Sequence, residues 1–151
     1  MSRYRTHELC VEIGELVAAR APKRWRNAEV LRRQLGTFGT TLTTYTVADG
    51  SEQTQDVDGL DELFHQLKRA EYQPGEGTWF RCRLEYSRRR RAYTASMQTF
   101  AREFPFGDDL QVPPWAYAEE LTMFPRQRKH TPPWMIPQGR DNEASGEGSA
   151  G

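Results

Sequence analysis

The period of the apolar positions changes several times along the chain, and each change marks a new element. Between residues 5 and 20, Leu9, Ile13, Leu16, Val17 and Arg20 follow three-four spacing, while Glu8, Glu12 and Glu15 fall elsewhere. That spacing predicts an amphipathic helix with Thr6 as its N-cap. Pro22 ends it, because a proline ring clashes with the preceding turn inside a helix. Residues 25–35 fit a strand, with Glu29, Leu31, Arg33 and Leu35 alternating against Ala28 and Val30, and they also fit a short helix. The strand is preferred because Gly36 follows as a hairpin turn and residues 37–47 are rich in β-branched threonine.

Asp49-Gly50-Ser51 signals a turn, and a polar, acidic stretch follows with Glu52, Asp56, Asp58, Asp61 and Glu62. A second helix is predicted over about 58–72, with Leu60, Leu63, Phe64 and Leu67 on one face. Asp58 would cap it, Asp61 and Glu62 suit its positive N-terminal end, and Pro74-Gly75-Glu76-Gly77 stops it. The clearest strand is 78–86, where Phe80, Cys82, Leu84 and Tyr86 alternate with Arg81, Arg83 and Glu85. Ser87 and the run Arg88-Arg89-Arg90-Arg91 connect it to a hairpin partner over 92–100, with Tyr93, Ala95 and Met97 on one face.

Beyond the acidic turn at Gly107-Asp108-Asp109, Pro113-Pro114 opens a third helix over about 114–124. Trp115, Ala118 and Leu121, with Phe124 or Tyr117, are expected on its buried side. Residues 126–137 form a proline-tethered arm with His130, Trp134 and Met135. The order α-β-β-α-β-β-α predicts an α+β fold: an antiparallel sheet of about four strands with helices mainly on one face. Residues 1–137 read as one domain, and 138–151, rich in Gly, Ser, Ala and Glu, as a disordered tail.

Composition then narrows the function classes. The formal net charge is zero, with 21 basic and 21 acidic residues, which argues against a dedicated nucleic-acid binder. Lys23, Lys68 and Lys129 are the only lysines, and arginine is the cation favoured at protein interfaces. Cys10 and Cys82 match no metal-ligand spacing and suit reducing cytoplasm, although a long-range disulfide between them is also open. The start of the chain lacks the apolar core of a secretion signal, and no apolar run reaches the roughly 18 residues of a membrane span. A cytoplasmic protein without membrane contact is expected.

Catalytic chemistry is poorly supported. His7, His65 and His130 suggest no shared site, although Asp61 one turn before His65 could orient that imidazole. Asp108-Asp109 is not followed by the further oxygen ligands a cation needs. There is no phosphate loop, nucleophile elbow or zinc helix motif. No catalytic residue, cofactor or metal is expected, and the chain reads as a binding protein. The candidate contacts are acidic Asp56, Asp58 and Glu62, the outward hairpin residues Trp79, Arg81 and Arg83, and Arg88 to Arg91. Each has a plain structural alternative: an acidic helix start, a tryptophan under a helix, and a solvated turn. The arginine run could also grip phosphates.

The strand Trp79-Phe80-Arg81-Cys82-Arg83-Leu84-Glu85-Tyr86 after an acidic helix carries a resemblance, together with Pro114-Trp115-Ala116-Tyr117-Ala118-Glu119-Glu120-Leu121, Phe124-Pro125-Arg126 and His130-Thr131-Pro132-Pro133-Trp134. Over roughly residues 6–136 the chain resembles small actinobacterial immunity proteins of polymorphic toxin systems and, more distantly, YezG-type antitoxins. The resemblance implies a protein that binds a cognate toxin domain, often a nuclease, and blocks it in the producing cell. Many members are acidic, whereas this chain is neutral with an arginine run. The rival readings are a nucleic-acid-associated module, an enzyme built around His65 or His130, and a chaperone or adaptor for a secreted effector.

Overall fold

The computed structural model describes residues 2–136 of the chain; the tail expected over 138–151 lies outside them. Its elements are α1 (Ser2–Ala19), β1 (Trp25–Leu35), β2 (Phe38–Val47), β3 (Glu52–Gln55), α2 (Leu60–Ala70), β4 (Arg81–Ser87), β5 (Ala92–Gln98) and α3 (Pro114–Met123). Two single 3-10 turns follow at Arg128–His130 and Pro133–Met135. The fold is α+β, with five antiparallel strands in the order β3-β2-β1-β4-β5. The expected count of about four strands missed β3, because Glu52–Gln55 carries no apolar alternation. Edge strands can be polar on both faces, so pattern alone does not reveal them.

Residues 25–35 are the strand and not the helix. β1 is the central strand, paired with β2 from Trp25↔Val47 to Leu35↔Phe38 and with β4 from Asn27↔Ser87 to Arg33↔Arg81. The β1–β2 turn is made by Gly36 at φ 57 and Thr37; the left-handed conformation suits glycine, which has no Cβ to clash. Ala28, Val30, Tyr45, Cys82, Leu84 and Tyr86 form the inward face and pack with Leu9, Cys10, Ile13 and Val17 of α1 and Leu60, Phe64 and Leu67 of α2.

Several local expectations change. Thr6 does not cap α1; the helix begins at Ser2 and the Thr6 hydroxyl bonds the Glu71 carboxylate. Arg20 is exposed and Cys10 is fully buried in its place on the α1 face. Asp58 does not cap α2; the cap position is Gly59 at φ 87, with no side-chain cap. β4 starts at Arg81 and not at 78, and Trp79 is fully buried. On α3 the buried residues are Ala116 and Glu120, whereas Trp115 is 54% exposed and Ala118 is exposed. The periodicity misled there because a glutamate occupies the inward position.

That glutamate meets Lys68 of α2. Both side chains are fully buried, with Nζ 3.0 Å from Glu120 Oε1. Glu120 Oε1 also accepts the Gly36 N–H at 2.7 Å, and Lys68 donates to the Trp79 and Gln34 carbonyls. Burial pulls the Lys68 ammonium below its ordinary range, and Glu120 pulls it back up. The pair joins α2, the β1–β2 turn and α3 around a second apolar cluster of Leu35, Phe80, Phe106, Ala116 and Met135. Leu35 alternates with Gln34 on β1, so this cluster caps one end of the sheet on the face away from α1 and α2. Arg126 secures the C-terminal arm there, donating to the carbonyls of Thr78, Thr99 and His130.

Inside the sheet, Arg32 points toward the helices with 1% exposure, and Gly39 on the neighbouring strand leaves it room. A Cβ at Gly39 would lie 2.4 Å from the Arg32 guanidinium.

Breaking a buried ion pair on one side leaves an uncompensated charge and costs about 3–5 kcal/mol. Glu120→Ala is therefore expected to lower the urea unfolding free energy by about that amount. The double change Lys68→Met with Glu120→Met should recover at least half of the loss in the same titration.

Candidate partner-binding surface

Helices α1 and α2 cover one face of the sheet, and strand alternation turns every second side chain to the other. Away from the end capped by the second cluster, that other face is left uncovered by the described residues. Its side chains form rows across the strands. One row runs Thr54, Thr44, Glu29, Glu85 and Thr94; the next carries Leu42, Leu31, Arg83 and Ser96; another carries Arg33 and Arg81. Leu42 is 51% exposed.

Glu29 and Glu85 sit directly opposite each other on neighbouring strands. Like charges in that arrangement destabilise a sheet. Arg83 lies beside both, with Nε 3.0 Å from Glu29 Oε2 and Nη2 3.7 Å from Glu85 Oε1. One guanidinium thus serves two carboxylates. Glu52 adds a third carboxylate to a shallow depression of about 410 Å³ that Glu29, Glu85 and Tyr93 also line.

The arginine run lies at the tip of the β4–β5 hairpin, with Arg88, Arg89, Arg90 and Arg91 exposed. Because β4 pairs with β1, the tip stands beside the start of β1, where Arg24 and Arg26 join it around a basin of about 840 Å³. Trp25, Asn27, Ala48 and Ser87 complete the lining. Of the expected contacts, Arg83 lies on the uncovered face and Arg81 is half-buried on the same strand. Asp56 and Asp58 are exposed in the β3–α2 connection, near Thr41 and Thr43, and Glu62 is exposed on α2. The acidic group is therefore displaced along the strands from the arginine tip, since Thr43 pairs near the β3 end at Gln55 and Val47 at the opposite end of β2. Trp79 is removed from the candidate contacts: it packs edge-on against Phe64 beneath α2, with the Lys68 ammonium 5.1 Å from its ring centroid.

Arg24, Arg26 and Glu29 were missed as contacts. Their signal is weak in one dimension, because they join the surface only once β1 lies beside β4.

The histidines have separate partners. His7 Nδ1 lies 2.8 Å from the Tyr93 hydroxyl, and His130 contributes its backbone carbonyl to Arg126. His65 does not pair with Asp61. Asp61 Oδ1 accepts from Arg32 Nη1 at 2.6 Å, while His65 Nδ1 lies 2.8 Å from Gln34 Nε2. Arg32 Nε can only donate, so it fixes Gln34 Oε1 as its acceptor at 3.0 Å, and Gln34 Nε2 donates to the Gly36 carbonyl at 3.0 Å. His65 Nδ1 must then accept, which is the neutral tautomer. Burial lowers the His65 pKa, and the Arg32 charge lowers it further. Arg33 hydrogen bonds hold the Asp109 carboxyl below its ordinary range, so the acidic turn is occupied by an ion pair. Among the described residues, no group of three or more His, Cys, Asp or Glu is placed to hold a metal ion. No described helix is long and apolar enough to cross a membrane.

Two measurements test this geometry. Because the folded His65 resists protonation, the unfolded chain binds more protons as pH falls below about 6.5. Stability should therefore decline through pH 6.5 toward pH 5, and His65→Gln should flatten that decline in thermal unfolding. Cys10 and Cys82 are free, buried thiols, and burial pushes the Cys10 thiol up to about 11. A maleimide at pH 7.5 should label neither in the folded protein and both in 8 M-range urea, roughly the unfolding limit for such domains. Comparison with known proteins places the chain in no family: no protein-family model matches it, and no curated protein matches it.

Proposed function

We propose that this chain is an immunity protein that binds a cognate toxin domain and occludes it. The observation that carries the reading is the facing pair Glu29 and Glu85 on a bare sheet face. Arg83 offsets one of the two charges, so the facing pair keeps a net negative charge that a partner bringing positive charge would neutralise. Opposite-sign patches side by side, the carboxylate strip and the arginine tip, suit a protein surface of matching pattern and select against others. An interface of ordinary size, about 800 Å² on each side, would cover both. Occlusion needs a preformed rigid surface and no reactive group, which fits histidines held in separate hydrogen bonds.

A nucleic-acid-associated reading is favoured by one observation, the arginine basin. The carboxylates Glu29, Glu52 and Glu85 beside it would repel a polyanion laid along the sheet.

If its gene lies beside one that encodes a toxin domain, co-expression of the full chain with that domain is expected to restore growth. Continued killing despite soluble chain would defeat the proposal. Glu85→Thr removes the facing repulsion together with the exposed 3.7 Å contact to Arg83, so thermal stability should change little while growth rescue weakens. Rescue at full strength by Glu85→Thr would show that the carboxylate strip lies outside the interface.

A further inference from the structure

We infer that the arginine basin is the docking site for an acidic loop of the protein partner, an inference that rests on the protein-binding reading above. The basin is concave, about 840 Å³, and among the described residues its lining contains five arginines and no carboxylate. Among the described residues, the basin arginines Arg24, Arg26, Arg88, Arg89 and Arg90 form no ion pair, whereas Arg5, Arg32, Arg33, Arg69 and Arg83 each do. Arg3, Arg20, Arg81, Arg102 and Arg128 are likewise without an ion pair, but they are scattered; the basin is set apart by gathering five such cations around one concavity.

Their mounting is firm. The Arg88 N–H donates to the Arg26 carbonyl at 3.0 Å, the Ala48 N–H to the Arg24 carbonyl at 2.9 Å, and Arg88 Nη1 to the Trp25 carbonyl at 3.3 Å. Three chain segments are thus stitched around the cavity. Arg24 at φ 64 and Arg91 at φ 50 are the non-glycine residues with positive φ among those described, and they flank this end of the sheet. A left-handed backbone is disfavoured for a long side chain, and such outliers gather at binding sites. Glycine would relieve the strain at either position and would lose the guanidinium.

The charge pattern selects the ligand. Guanidinium forks hold carboxylate and phosphate equally well in pairs of parallel hydrogen bonds. A nucleic-acid strand, however, carries its charge without interruption, and the strip of Glu29, Glu52 and Glu85 adjoins the basin through Asn27, Ser87 and Arg90, which line both depressions. A strand leaving the basin on that side meets three carboxylates. A protein loop can place two or three Asp or Glu side chains in the basin and present Lys or Arg to the strip. The mixed surface fits the second ligand.

The test uses the full chain and fluorescence anisotropy at low salt, with a labelled hexa-aspartate peptide and a labelled hexathymidylate as probes. The peptide should bind saturably, more tightly than the oligonucleotide, and the double variant Arg24→Gly with Arg26→Ala should weaken it at least tenfold. Arg128→Ala, outside the basin, should leave binding unchanged, and thermal unfolding should show all variants folded. No saturable peptide binding, peptide binding indifferent to Arg24→Gly with Arg26→Ala, or tighter oligonucleotide binding each overturns the inference. In the toxin co-expression assay, full rescue by the double variant overturns the basin and leaves the immunity reading standing. Basin-dependent peptide binding with no rescue by the unsubstituted chain supports the basin and removes that reading instead.

Discussion

The antiparallel pairing of β1 with β4, from Asn27↔Ser87 to Arg33↔Arg81, places the two surface features of this protein side by side. It sets Glu29 opposite Glu85 on the uncovered face, and it brings Arg24 and Arg26 against the tip that carries Arg88 to Arg91. It also puts Ala28, Val30, Leu84 and Tyr86 on one inward surface for α1 and α2 to cover. A slip of one residue would exchange inward and outward sets along the whole strand. The apolar core therefore enforces the register on which the charged surface depends.

The inward side of β1 is apolar only at first. Ala28 and Val30 give way to Arg32 and Gln34, both about 1% exposed. α2 supplies what those residues need: Asp61 for Arg32, His65 for Gln34, and Lys68 for the Gln34 carbonyl. Each partner lies three or four residues from the next, so one helix face reads one strand face. Apolar contacts alone tolerate sliding; this polar ladder admits one alignment of α2, because any other strands a buried guanidinium or amide.

Much of the fold was legible in the order of residues. The alternation of Cys82, Leu84 and Tyr86 with Arg81, Arg83 and Glu85 marked β4, and Gly36 between apolar-threonine runs marked the first hairpin. What failed has more than one cause. Thr6 and Asp58 are good caps by type, yet Thr6 lies inside α1 and bonds Glu71, and the left-handed Gly59 takes the cap position of α2. Glu120 was absent from the expected buried side of α3, because its partner Lys68 stands on another element 52 positions earlier by number and only the folded chain joins them. The site was half legible. Arg88 to Arg91 declare themselves as a run, but Arg24 and Arg26 become neighbours of that run only because β4 pairs with β1 and not with β3, the strand before it in the chain. Trp79 was ambiguous between surface and core, and the apolar demand beneath α2 decided it.

Gly39 and Arg32 occupy neighbouring strands with no space between the missing side chain of one and the guanidinium of the other. Any side chain at 39 must displace the Arg32 guanidinium, the donor that Asp61 and Gln34 share. The four positions are thus coupled: a change at the glycine is felt through the guanidinium at Asp61 and Gln34.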